Sequence, residues 1–250
     1  MRSLQWWLTS AFVLAVGTAG FAQTAAPAYT PLELAVGCAP PPTLDPPEVR
    51  LHVVGTQDIT RRTAYGSRDL LVVDGGTNAG VQLGQQFYVR RANRFGPQDP
   101  KIRQGSRTVA WIHIVAVNES TAIAAVDHIC GVVVQSDYLE PFVAPVVPAG
   151  ADRDDTPGQP DFSDLGQVLA GDEGRSTMGA GDFVLIDRGS DQGVEPGARF
   201  ALYRDVRMTG MPLASLGEAV VISTSQTMSL TRITRARDAI VKGDYVAARK

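Results

Sequence analysis

Along this chain the apolar residues come in short runs separated by turn-forming residues. Leu70–Val73, Gln86–Arg90, Val109–Val117, Ala122–Val126 and Tyr138–Phe142 are rich in Val, Ile and aromatic side chains and are bounded by turn residues, which is the pattern of strands. No long stretch keeps a 3.6-residue apolar period without Gly or Pro interrupting it, so no long helix is predicted. Short strands expose costly edges unless their sheet closes on itself. The expected fold is therefore all-β, built from small barrel-like units.

The runs occur twice. Asp69–Phe87 lies over Asp182–Phe200 without a gap, 113 positions apart, and the identities include Asp74/Asp187, Gly76/Gly189, Gly80/Gly193, Val81/Val194, Gly84/Gly197 and Phe87/Phe200, followed by Arg91/Arg204. Downstream the offset is 107: Ala110–Val117 matches Gly217–Thr224, and Val133–Tyr138 matches Ile240–Tyr245. The second copy has lost six residues from the polar stretch Ala92–Arg107, which reads as a loop that tolerates length change. Upstream, Val53–Gly55 aligns with Leu169–Gly171 and Arg62–Gly66 with Arg175–Gly179. These blocks predict two tandem β-modules of five to six strands, over residues 48–142 and 163–250. Between them, residues 143–162 carry Pro145, Pro148, Pro157 and Pro160 with Asp152, Asp154 and Asp155, and read as a solvated, semi-extended linker. Residues 23–47, with Pro40–Pro42 and Pro46–Pro47, read as an extended or disordered arm.

The repeated Gly-rich block has a structural and a functional reading. In the first, a buried strand ends at Asp74 or Asp187, whose carboxylate accepts N–H groups of the turn that follows. Gly76 and Gly189, and then Gly80 and Gly193, supply positive φ, and Gly84 and Gly197 turn the chain again. In the second, the block is a phosphate cradle. Phosphate loops lead into a helix and usually carry Lys or Ser/Thr ligands, whereas here a strand follows and Lys is missing, which favours the structural reading.

The pattern of strand, Asp-x-Gly-x-x-x-Gly-Val-x-x-Gly-x-x-Phe and a strand ending in Arg resembles a bacterial envelope module. It is similar to the β-domain that follows the LysM repeat in some proteobacterial peptidoglycan-associated proteins and to the carboxy-terminal domain of flagellar assembly protein T. Residues 186–197 further resemble the β-domain of rod shape-determining protein C. The likeness is confined to one block per module, and the LysM repeat, amino-terminal domains and coiled coil of those families have no counterpart in the sequence. It implies a periplasmic scaffold or adaptor that is not an enzyme, whose partners are envelope proteins, including ring, secretion or flagellar-type assemblies, or peptidoglycan.

The amino terminus agrees with export. Arg2, the apolar run Trp6–Val16 broken only by Thr9 and Ser10, and small Gly20 and Ala22 have the layout of a secretory signal peptide over residues 1–22, cleaved after Ala22. The run is well short of the ~20 residues that span a bilayer, and the rest of the chain contains no longer one. Ala35–Cys38 has the outline of a lipoprotein box, but Tyr29, Pro31 and Glu33 separate it from the apolar run. The expected location is therefore periplasmic or secreted. Lys and Arg number 23 against 26 Asp and Glu, a net charge of −3 that provides no footprint for nucleic acid. In an oxidising compartment Cys38 and Cys130 are a candidate disulfide between the arm and a late strand of the first module; two buried free thiols are the alternative.

Candidate chemistry is sparse. His52, His113 and His128 lack metal-ligand spacing and sit in strand-like contexts, and the two cysteines have no neighbouring ligand residue in sequence. Ser176 is not in a nucleophile elbow, and Asp152–Asp155 lacks the Gly and Glu of a calcium loop. No cofactor is expected. Arg61, Arg62 and Tyr65, and Arg90, Arg91, Arg94 and Phe95, form two Arg–aromatic groups that suit contacts with a protein or glycan partner; the competing reading is a solvated strand face. The sequence thus points to a non-catalytic envelope adaptor, with a peptidoglycan- or polysaccharide-binding module as the alternative.

Overall fold

The computed structural model describes residues 29–43, 51–60, 62–93, 105–153, 155, 157–172 and 175–250. The signal segment, Arg61, Arg94 and Phe95 lie outside the described residues. Among the described residues no helix is long and apolar enough to cross a membrane.

Each repeat folds into a closed antiparallel barrel of six strands. The first comprises β1 (Leu51–Thr56), β2 (Leu70–Val73), β3 (Gln86–Asn93), β4 (Gly105–Val117), β5 (Ala122–Ile129) and β6 (Tyr138–Pro141), in the circular order β1-β2-β5-β4-β3-β6. The second comprises β7 (Gly166–Gly171), β9 (Phe183–Ile186), β10 (Arg199–Arg204), β11 (Ala214–Thr224), β12 (Ser229–Ala236) and β14 (Tyr245–Ala248), and closes in the equivalent order. Its two-residue strands β8 (Thr177–Met178) and β13 (Ile240–Val241) pair outside the barrel, as Tyr65 and Val133 do in the first copy. Closure removes the open edges that strands this short would otherwise expose.

The duplication extends to the irregularities. Register breaks at Val89/Arg90 and Leu202/Tyr203, at Trp111/Ile112 and Glu218/Ala219, and at Ile114/Ala116 and Val221/Ser223 fall at matched positions. Bulges bend strands sharply enough to close a small barrel, so these are built-in corners. The structure corrects the upstream alignment by one residue. The Val53 and Val168 amides donate to the carbonyls of Asp137 and Asp244 at 2.9 and 2.8 Å, which makes Val53 the counterpart of Val168, not of Leu169. In a strand that slip exchanges the faces: Val53 and Val168 point into the barrels and Leu169 points out. Gly55 is accordingly the counterpart of Ala170 and not of Gly171.

Each barrel encloses its own core, with Leu71, Val73, Phe87, Ile112 and Ile114 in the first and Val184, Ile186, Phe200, Leu202 and Val221 in the second. A third cluster lies outside the second barrel. There Leu169, Phe183, Leu185, Ile222 and Leu230 pack against Leu32, Val36 and Ala39 of the arm and Val147 and Ala151 of the linker.

That cluster overturns two expectations. The arm contains a helix, α1 (Pro31–Cys38), with Pro31 at its start and a capping box in which the Glu33 amide donates to Thr30 Oγ1 and the Thr30 amide donates to Glu33 Oε2. The linker is only partly solvated: Ala151 is buried, Arg199 donates to the carbonyls of Gly150 and Arg153, and Arg232 donates to that of Ala151. Pro160 bridges to Arg249, which continues the sheet beside β14. Apolar residues of the arm and linker cover an outer face of the second barrel that would otherwise meet water.

Candidate functional site

The repeated turn is fully committed to the fold. In each copy a 3-10 turn (Thr77–Ala79, Ser190–Gln192) follows the first glycine, and its leading amides donate to the β4–β5 or β11–β12 hairpin: Thr77 to Asn118 O at 2.9 Å, Asn78 to Glu119 O at 3.0 Å, Ser190 to Ser225 O at 2.9 Å and Asp191 to Gln226 O at 3.0 Å. A phosphate would find these donors already used. Gly80 and Gly193 take the left-handed conformation, with φ of 77° and 73°. Gly76 and Gly189, expected there too, are extended at φ −129° and −132°. Their requirement is space, since a Cβ would lie 2.1 Å from Asn118 O or 2.3 Å from Gln226 O. Gly76→Ala or Gly189→Ala is therefore expected to destabilise its barrel by about 3 kcal/mol, the upper part of the overpacking range. Denaturant midpoints check this, and a loss below about 1 kcal/mol would show that the hairpin yields.

Gly84 and Gly197 turn the chain at positive φ, 77° and 92°, and their amides donate to Ile114 O and Val221 O, both at 2.8 Å. The two turn the chain as expected but are not equivalent in surroundings. A Cβ at Gly84 would meet open space, whereas one at Gly197 would touch Pro148 of the linker at 3.7 Å. Gly197 therefore also lies where the linker packs on the second barrel. Asp74 and Asp187 reach beyond the turn expected for them: each carboxylate accepts from the adjacent strand, from the His52 amide at 2.5 Å and the Gln167 amide at 2.6 Å.

Among the described arginine–aromatic residues, several are engaged within the fold. Arg91 donates from Nε and Nη2 to both oxygens of buried Asp137, each at 2.7 Å, and to Val132 O. Arg204 repeats this with Asp244 and Ala239 O. Arg62 pairs with Asp69 at 2.7 Å and with Asp58, and Arg175 makes the matching bond to Asp182. Tyr65 is a core residue, 5% exposed, in the place of Met178. Tyr65 and Arg91 are thus turned toward the core and a buried carboxylate, whereas Arg62 is exposed and makes its ion pairs at the surface. The histidines have local partners: His52 lies 3.2 Å from Asp74, His113 2.6 Å from Asp127, and the His128 ring packs at a tilt against Trp111.

Arg90 leads to the feature that sequence reasoning missed. It lines a cleft of about 720 Å³ between the barrels, walled by α1, the Pro40–Pro42 run, the Pro141–Pro148 segment and, on the second barrel, Pro196, Ile222 and Leu230. Behind the lining residues Gly37 and Tyr88, Trp111 takes Tyr29, Tyr88, His128 and Phe142 around its ring at 5.1 to 6.0 Å. The Trp111 indole N–H donates to Gly37 O at 3.2 Å, and an alanine Cβ at Gly37 would fall within the indole ring. The Cys38–Cys130 disulfide forms beside it and fastens α1 to β5. Tertiary structure also brings His128 to the two sulfurs, within 4.8 Å. Both sulfurs are engaged in the bridge, so they offer no thiolate to a metal.

Arg90 is 5% exposed, places its guanidinium 4.3 Å over the Tyr88 ring, lies 3.4 Å from Glu140 and donates to Thr108. Burial depresses its pKa, opposed by Glu140. Thr108 passes the chain of bonds on to Ala39 O, and the Tyr88 hydroxyl donates to Val143 O at 2.7 Å. Burial pushes the Tyr88 pKa up to about 12. Because the folded state prefers neutral Tyr88, its contribution is intact below the ordinary tyrosine pKa of about 10 and is lost as pH rises from there to about 12. Ultraviolet titration should show one tyrosine ionising near pH 12, a step missing in Tyr88→Phe; ionisation of all six tyrosines near pH 10 would refute it.

One local signal for the cleft exists in the sequence: Thr30-Pro31-x-Glu33 is a helix-start signature. The seating of that helix on Trp111 depends on contacts between distant segments. A comparison with known proteins finds no matching family model and no matching curated relative.

Proposed function

We propose that this protein is a non-catalytic adaptor of the bacterial envelope, exported by residues 1–22 to the periplasm, where its paired barrels engage another envelope protein. The observation that carries this reading is the way the barrels are joined. A disulfide, a helix seated on Trp111 and a pinned linker hold two folded units around a proline-walled apolar cleft. Fixing the orientation of two surfaces suits a protein that presents them to a partner, since a preorganised surface loses less freedom on binding. The disulfide suits an oxidising compartment. Affinity capture from envelope extracts is the test: a specific, saturable protein partner is expected. Its failure to appear after in-cell crosslinking would sink the proposal.

One observation favours a polysaccharide reading. Phe162, half exposed, pairs its ring with Tyr203 at 5.1 Å on the second barrel, an aromatic ledge of the kind sugars stack on. Co-sedimentation with purified peptidoglycan separates the two readings, because an adaptor stays in the supernatant.

A further inference from the structure

The two modules share an apolar outer face but differ in what covers it. In the second barrel that face consists of Leu169, Phe183, Leu185, Ile222 and Leu230, at most 5% exposed beneath α1 and the linker. The barrel registers map these residues onto Val54, Leu70, Val72, Val115 and Ile123 of the first barrel. All five counterparts are apolar as well. There, Val54, Leu70 and Val115 are 40%, 41% and 39% exposed, and Val72 and Ile123 are half-buried. An apolar sheet face left in water is costly, and a contiguous one marks a contact surface.

The covered copy indicates the occupant. α1 and the residue after it present Leu32, Val36 and Ala39 to the second barrel, at i, i+4 and i+7, one apolar stripe of a short helix. The bare face is also continuous with the established contact. Trp111, His113 and Val115 are successive outward positions on β4; Trp111 lies beneath α1, and Val115 lies beyond it. A second copy of the chain cannot supply its own α1, which is tied to Cys130 and Trp111.

We infer that the outer face of the first barrel, centred on Val54, Leu70 and Val115, docks a short apolar helix of a partner protein, with side chains at i, i+4 and i+7, as the matching face of the second barrel holds α1. This inference rests on the adaptor reading and names the surface and the partner's chemistry. The probe is a helix-stapled synthetic peptide of residues 29–43 carrying Cys38→Ser, titrated into the isotope-labelled whole protein and followed by amide NMR. Saturable shifts are expected on β1, β2, β4 and β5 around those residues. The double variant Leu70→Asp/Val115→Asp should weaken binding at least tenfold, with an unchanged melting curve because both sites are exposed. Shifts absent at millimolar peptide, or equal in the variant, overturn the inference. So does sedimentation that finds a wild-type dimer which the variant converts to monomer, since that assigns the face to a second copy. Capture from envelope extract tells the two levels apart. If wild type and variant capture one partner equally, the docking face fails and the adaptor reading survives; if neither captures any partner, the adaptor reading fails.

Discussion

Replacing Cys38 and Cys130 together by serine lowers the stability of the first barrel by about 4–5 kcal/mol, the chain-entropy value for a cross-link across 92 residues. The consequence extends past the loop entropy. Without the bridge, α1 is held by the Trp111–Gly37 and Thr108–Ala39 hydrogen bonds and by its apolar stripe on the second barrel. An eight-residue helix is marginal without tertiary support, so its detachment exposes Leu169, Phe183, Ile222 and Leu230. The variant is therefore expected to bind an apolar fluorescent dye before global unfolding and to lose stability in the second barrel too, although neither cysteine belongs to it. Denaturant unfolding with separate tryptophan and dye readouts measures both effects. A loss below about 1 kcal/mol with no rise in dye binding would show that the bridge is incidental to the joining of the barrels.

Arg91→Ala and Arg204→Ala are each expected to cost about 3–5 kcal/mol, because each leaves a buried carboxylate without its cation. Asp137 and Asp244 are 2% and 3% exposed, and each receives a two-pronged arginine bond plus the amide of Val134 or Val241. Hydrogen bonding to Asp137 and Asp244 raises the pKa of Arg91 and Arg204, so both guanidinium groups remain charged across the accessible range. Lysine restores the charge without the fork, so Arg91→Lys should recover only part of the loss. Equal losses at the two sites are expected, since the bond lengths match in both copies. Chemical denaturation of the five single variants, Arg91→Lys, Asp137→Ala and Asp244→Ala included, measures them. Losses near zero would mean that the barrels close without this clasp.

Several features are readable in the sequence because they depend on local periodicity and on self-comparison. Strand β2 coincides with the predicted run Leu70–Val73, and the first strand of each barrel, β1 or β7, contains the upstream repeat block. The Arg91/Arg204 and Asp137/Asp244 matches are also visible, but at different offsets, so nothing local shows that each arginine meets its aspartate beside the neighbouring strand. Arg90 and Arg91 show the limit. They are adjacent in sequence and looked like one surface cluster, yet strand alternation and the bulge at Arg90 send one to the cleft and the other to the Asp137 clasp. Gly84 and Gly197 show it again, since the same turn meets solvent in one copy and the linker in the other.

The sequence by itself determined the all-β class, the duplication and the candidate pairing of the cysteines. These follow from apolar spacing, matched blocks and an even cysteine count, each readable one segment at a time. Only the tertiary structure decided that the bridge forms, that the proline arm holds a helix, that this helix covers one barrel's outer face and leaves its twin bare, and that a cleft lies between them. Those outcomes depend on contacts between residues far apart in sequence. An apolar residue on an outward strand position reads the same in both copies, and only the packing of a distant segment over it makes one of them core and leaves the other as surface.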